Sequence, residues 1–207
     1  MALIKSKALP QAVELTAEEK PSCESLLAQL SDENPETRRW AARDMLHCED
    51  ASEALVSRLK IESELSVREV ILTALIHLKS PNSIAGLVEC LRSEDPSLRN
   101  EALEAMKQLP DLVAPIMVDL LNDEDPDVRI FSVNILESLR HSDVESWLIG
   151  VVEEDPHVNV CATALDLLSE VGTEAAMVAI PKIKARFADE PYIQFAADLA
   201  FKRITEC

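Results

Sequence analysis

Glycine is nearly missing from this chain. Gly86, Gly150 and Gly172 are the only three, and they stand far apart, so neither a Gly-rich phosphate cradle nor a Rossmann turn can be built; G-x-S-x-G is absent as well. Aromatic residues make up 3% while proline reaches 11 residues, a balance that suits helices with proline-marked starts and not sheets turned by glycine. No apolar run approaches the length of a membrane span, and the opening Met1-Ala2-Leu3-Ile4-Lys5-Ser6-Lys7 lacks the long apolar stretch of a secretory signal. No membrane partner is expected, and the chain reads as cytoplasmic. Basic residues are also short, 20 against 38 acidic ones for a net charge of −18, which repels nucleic-acid phosphates and disfavours DNA or RNA. The five cysteines, at 23, 48, 90, 161 and 207, form no C-x-x-C pair and read as buried or surface thiols.

What is present is one short phrase, repeated: an acidic residue, a proline, a free position, an aliphatic and an arginine. It is clearest in Asp95-Pro96-Ser97-Leu98-Arg99 and Asp125-Pro126-Asp127-Val128-Arg129. Altered copies stand at Asn34-Pro35-Glu36-Thr37-Arg38, Glu64-Leu65-Ser66-Val67-Arg68, Asp155-Pro156-His157-Val158-Asn159 and Glu190-Pro191-Tyr192-Ile193-Gln194. The proline positions of the first five are 35, 65, 96, 126 and 156, a period of 30 or 31 residues. A period of this size sustained over most of a chain means a stacked-repeat architecture. Residues 1–20 have no helical period and read as an N-terminal tail or strap; residues 21–207 read as one repeat domain.

Each repeat reads as two helices, A and B. The A segments carry apolar residues at helical spacing, from Leu26, Leu27 and Leu30 to Val144, Trp147, Leu148 and Val151. The phrase then starts helix B. Asn34, Asp95 and Asp125 can cap its free N–H groups, and proline suits the first helical position because its missing donor would have had no partner. Within helix B a buried stripe recurs two, six, ten and thirteen places past the proline position, as Leu98, Ala102, Met106 and Leu109 or Val128, Ser132, Leu136 and Leu139. In the fifth repeat it slips to Leu165 and Leu168. The last repeat holds Lys182, Lys184, Arg186, Lys202 and Arg203 and reads as a basic cap on an acidic stack.

The phrase D-x-D-P-x-V-R with small and aliphatic residues at these offsets resembles the HEAT-repeat superfamily, particularly the short bacterial repeats also found in phycobilin lyases, over residues 22 to 204. The resemblance implies an all-α fold, a right-handed α-solenoid of about six HEAT-like helical hairpins, with A helices convex and B helices concave. It also implies a structural ladder between repeats, here Arg38, Arg68, Arg99 and Arg129 against acids of the inter-helix turns, Asp95 and Asp125 among them; Asn159 and Gln194 interrupt it. Enzymes of this superfamily include an iron hydroxylase that uses repeated His-Glu pairs, and none of the four histidines here precedes a glutamate. No catalytic residue, cofactor or metal is expected. His47 and His77 share a place in neighbouring repeats, with Cys48 beside the first; two helix-end histidines are the simpler reading, and a shared metal would need further ligands.

Side chains four and eight places past the proline position point away from the buried stripe: Arg39 and Arg43, Glu69 and Thr73, Asn100 and Glu104, Ile130 and Asn134. Stacking sets them side by side as a polar groove whose sign runs from basic to acidic, with Trp40 and Phe131 at its rim, first as packing between repeats and second as binding anchors. From Asp111 to Asp155 there are 12 acidic residues against Arg129 and Arg140, read first as a solvated edge and second as a docking surface for a basic partner. The expected function is a non-catalytic scaffold or adaptor that holds a protein or peptide. The alternative is a phycobilin-lyase-like chaperone presenting a tetrapyrrole to a client.

Overall fold

The computed structural model describes residues 21–206. The expected tail, residues 1–20, lies outside the described residues, as does Cys207. Among the described residues there are thirteen α-helices and no strand. They form six hairpins: α1 (Cys23–Gln29) with α2 (Pro35–Asp44), α3 (Ala51–Leu59) with α4 (Leu65–Leu78), and α5 (Pro81–Cys90) with α6 (Pro96–Lys107). The fourth has a split first element, α7 (Pro110–Val113) and α8 (Met117–Leu121), followed by α9 (Pro126–Leu136). Then come α10 (Val144–Glu154) with α11 (Val158–Val171), and α12 (Ala179–Arg186) with α13 (Pro191–Glu206).

Local chemistry fixes these boundaries. Pro35, Pro81, Pro96, Pro126 and Pro191 each open a helix at its first residue, where their missing donor costs nothing. Pro115 does the opposite, because it falls inside the fourth A segment. There the chain tightens to a 3₁₀ turn over Ala114–Ile116 between α7 and α8, as expected where proline removes an interior donor.

The B helices pack in sequence, α2 on α4, α4 on α6, α6 on α9, α9 on α11 and α11 on α13, while α3 packs on α5, α5 on α7, and α10 on α12. This nearest-neighbour order is that of an α-solenoid. The B stripe is buried: Leu98, Ala102, Met106, Leu109, Val128, Ser132, Leu136 and Leu139 all belong to the interior, as do Leu165 and Leu168 of the slipped fifth repeat. Alanine at 41 and 102 is fully enclosed, which lets the helices approach closely. Gly86 serves the A row in the same way, since a Cβ there would overlap the methyl groups of Val56 on α3. Leu27 departs from the expected A stripe and is 44% exposed. It lies on α1, the first described helix.

Candidate functional site

The same turn introduces each of the first four B helices. Counting from the proline position, the side chain three places before it accepts the backbone N–H one place before it: Asp32 from Asn34 at 2.7 Å, Glu62 from Glu64 at 3.0 Å, Ser93 from Asp95 at 3.1 Å and Asp123 from Asp125 at 3.0 Å. Asn34, Asp95 and Asp125 in turn accept the N–H of Glu36, Ser97 and Asp127. The arginine three places after the proline position closes the turn. Arg38 donates to the Asp32 carbonyl at 2.9 Å, Arg68 to Glu62 at 2.7 Å, Arg99 to Ser93 at 2.6 Å and Arg129 to Asp123 at 2.7 Å. Backbone groups left free at a helix start are thereby satisfied.

Three of these arginines also reach the next repeat. Arg38 forks onto Glu62 at 2.7 and 2.8 Å, Arg129 forks onto Asp155 at 2.7 and 3.1 Å, and Arg68 donates to Asp95 at 2.5 Å. Glu62 is 1% exposed and takes a further hydrogen bond from Arg58 at 2.9 Å. Burial alone would raise its pKa, but the hydrogen bonds from Arg38 and Arg58 and from the Glu64 backbone outweigh that and hold it at about 2. Asp95 is also lowered, chiefly by its hydrogen bond from Arg68.

Arg99 and Asp125 differ from the expected ladder: neither forms an ion pair among the described residues. Asp125 is engaged as a cap, and the neighbouring Asp123 pairs with Arg92. Asn159 is replaced from the opposite direction. Arg186, on α12 of the following repeat, donates to the carbonyls of Val152 and Asp155 at 2.9 Å each, and to that of Glu153. Gln194 keeps the local part alone, donating to the carbonyls of Lys184 and Phe187 at 2.9 and 3.0 Å. The basic residues of the last repeat are largely engaged within the stack, Lys182 with Glu153 at 2.5 Å and Lys184 with Asp198.

The B helices expose the expected groove residues unevenly. Arg43, Glu69, Thr73, Asn100 and Glu104 are exposed, and Arg39, Ile130 and Asn134 are half-buried. The two rim aromatics part company. Phe131 packs against the core, whereas Trp40 is 43% exposed, with the guanidiniums of Arg39 and Arg43 at 5.2 and 4.2 Å from its ring centroid. Two grooves run between B helices. One, of about 400 Å³ between α4 and α6, is lined by Glu69, Thr73, Glu101 and Glu104 with Leu65, Leu72 and Ile76. The other, of about 200 Å³ between α9 and α11, is lined by Asn134, Glu137, Thr163, Asp166 and Glu170 with Val133 and Leu167. No Lys or Arg lines either groove. Lys107 stands between them, 3.2 Å from Glu104 and 3.4 Å from Glu137. One buried carboxylate oxygen of Glu101, Oε2, has no hydrogen-bond partner.

The A row carries a third cleft, of about 580 Å³, walled by Ile84, Val88, Leu112, Ile116 and Leu120 and rimmed by Asp111, Asp119 and Asp123. It lies beside the proline-broken α7–α8 element. No helix of the described residues is long and apolar enough to cross a membrane.

The thiol reading of the cysteines needs correction. Cys23 and Cys48 form a disulfide, while Cys90 and Cys161 are free and buried. Spacing hid the pair: the residues are 25 apart and meet because the α1–α2 hairpin brings the first residue of α1 back to the end of the turn after α2. Burial pushes the thiols of Cys90 and Cys161 up to about 11 each, so both are inert at neutral pH.

A family model described as HEAT repeats matches residues 23–107 and 114–200. No curated protein matches the sequence. Among solved structures, Cex1p aligns at 17% identity with a TM-score of 0.53 over 89% of this chain and 42% of its own. An engineered protein aligns at 20% identity and 0.43 over 89% and 96%. The complex of CpcE and CpcF of phycocyanin lyase from Nostoc sp. PCC7120 aligns at 17% identity and 0.38 over 94% and 100%. These likenesses concern the fold alone.

Proposed function

Because this chain belongs to the HEAT-repeat family, whose fold is typical of protein-interaction scaffolds and usually non-enzymatic, we propose that it is a non-catalytic scaffold or adaptor whose B-helix face holds a protein or peptide with a basic surface. One observation carries this reading: six carboxylates, Glu69, Glu101, Glu104, Glu137, Asp166 and Glu170, line the two B-face grooves with no cation among the lining residues. Side chains of one sign in a concave setting attract a partner of the opposite sign and reject anionic ones. Apolar floors from Leu65, Leu72 and Ile76 supply area for aliphatic anchors.

Arg39, Trp40 and Arg43 give the face a polarity. An exposed indole with two guanidiniums near its ring suits an acidic or aromatic group of the same partner, so the bound segment lies with its basic part over α4 to α11 and its acidic or aromatic end over α2. Because five of the six groove acids are exposed, all but Glu101, their attraction is screened over about 8 Å at physiological salt. Binding is therefore expected to weaken as salt rises. The test is capture from native lysate at low and high salt. Glu69→Lys/Glu104→Lys is expected to lose the proteins that the wild type retains at low salt, and Arg39→Glu/Arg43→Glu to lose part of the same set. An unchanged set from both variants would contradict the placement on this face.

A further inference from the structure

We propose that Cys23, His47 and Cys48 are a redox-gated binding site for a thiophilic divalent cation, zinc being the ion that this donor set fits. The two sulfurs and a ring nitrogen of His47 all lie within 4.8 Å of one another. Two thiolates and an imidazole supply three of the four positions of a tetrahedral zinc site and leave the fourth for water or an outside ligand. The donors come from separate elements. Cys23 is the first residue of α1, His47 ends the 3₁₀ turn Met45–His47, and Cys48 follows it. His77, on the last turn of α4, is not one of the three; the third donor that His47 and Cys48 lacked in the sequence is Cys23 of α1.

The surroundings favour a cation. Cys48 is buried, Cys23 half-buried and His47 exposed, so an ion enters from the imidazole side while the sulfurs stay sheltered. Glu49 and Asp50, both exposed, follow directly and add negative potential at the entrance. Cys90 and Cys161 are buried elsewhere and do not compete.

Disulfide and metal exclude each other, and this makes the site a gate. A low-molecular-weight dithiol transfers two electrons and two protons to the Cys23–Cys48 bond; the S–S bond breaks, two protein thiols form, and the dithiol leaves as its own cyclic disulfide. Zinc then binds both sulfurs and the neutral imidazole, and two thiol protons pass to solvent. In either state α1 is tied to the connector after α2. Under oxidising conditions the tie is covalent, and under reducing conditions it depends on metal.

The test uses tag-free, full-length protein reduced with a phosphine, freed of reductant without oxygen, and titrated with Co²⁺ and then Zn²⁺. The reduced protein is expected to take one Co²⁺ per chain with a sulfur-to-metal charge-transfer band, to release it to Zn²⁺, and to take none when oxidised. His47→Ala changes an exposed side chain and leaves both cysteines, so it tests the site in a folded protein. Its loss of zinc affinity is expected to be at least the roughly 10- to 100-fold that removal of an outer-shell partner alone brings. Cys23→Ser/Cys48→Ser is expected to lose the charge-transfer band. Reduced wild type without stoichiometric metal, an unweakened His47→Ala, or a band that survives in the double serine variant would overturn the proposal.

Discussion

Burial would push the Glu62 carboxyl up, yet hydrogen bonds from Arg38, Arg58 and the Glu64 backbone hold it at about 2. A carboxyl whose pKa is lower in the folded chain contributes stability above its unfolded value of about 4.3 and loses that contribution as pH falls through its folded value. The difference corresponds to about 3 kcal/mol. Wild type is therefore expected to lose stability between about pH 4.5 and 2. Glu62→Gln, which leaves the 6%-exposed Arg38 without its carboxylate, is expected to be about 3 kcal/mol less stable at pH 7 and to lack this share of the acid sensitivity. Denaturant melts across that pH range measure both. A Glu62→Gln variant as stable as wild type at pH 7 would show that the fork from Arg38 contributes nothing net.

The repeated arginine was legible as a ladder element, and so was Asp95, which Arg68 reaches; the acids that Arg38 and Arg129 reach, Glu62 and Asp155, were not named. Glu62 stands three places before a repeat start that lacks proline, whereas Asp155 stands one place before its proline, so no single offset predicts the rung acid. A second signal was present: Asp32, Glu62, Ser93 and Asp123 recur three places before the proline position and all close the same turn. Arg186 could not have been found by spacing, since it reaches the fifth turn from the following repeat.

At the scale of elements, Asp125 and Asp95 separate two roles that share one phrase. Asp125 caps α9 and has no ion pair among the described residues, while Asp95 caps α6 and also receives Arg68. Asp125→Ala is expected to cost about 1 kcal/mol, or a fall of about 3 °C in Tm. Asp95→Ala should fall further, because the buried Arg68 loses its closest carboxylate and keeps only Glu101 at 3.7 Å. Equal losses in thermal melts would argue that the rung adds nothing to the cap. The helix starts and buried stripes were readable from proline and apolar period alone, since both are local. Three things were not local: the exposure of Leu27, which depends on what packs over α1, the closeness of Gly86 to Val56, and the Cys23–Cys48 bond. Closing a loop of that separation stabilises by about 3 kcal/mol in the chain-entropy account. Cys48→Ser in the absence of metal is expected to fray α1 first, seen as faster amide exchange over Cys23–Gln29 with α9 and α11 unchanged. Uniform exchange across the stack would place the bond's contribution elsewhere.

For the whole molecule, a net charge of −18 is not spread evenly over the faces that stacking creates. Turn acids such as Glu62, Asp95, Asp125 and Asp155 are engaged in caps and rungs, and some on A helices staple neighbours, as Glu89 does with Lys60 and Glu153 with Lys182. Six carboxylates on the B face instead line grooves with no Lys or Arg among the lining residues, with Lys107 beside Glu104 and Glu137 and Arg68 beside Glu101 as their neighbouring cations; the proposed basic partner sits there. The A-row cleft over Ile84, Val88, Leu112 and Ile116 is the rival surface, being more apolar and fenced by three aspartates. The most direct measurement places a photo-crosslinking residue at Thr73 or Asn134 on the B face and, separately, at Ala85 in the A-row cleft, with adducts identified from the cell. The same basic protein or peptide is expected to be joined at Thr73 and Asn134 and not at Ala85. Adducts confined to Ala85 would overturn the B-face placement.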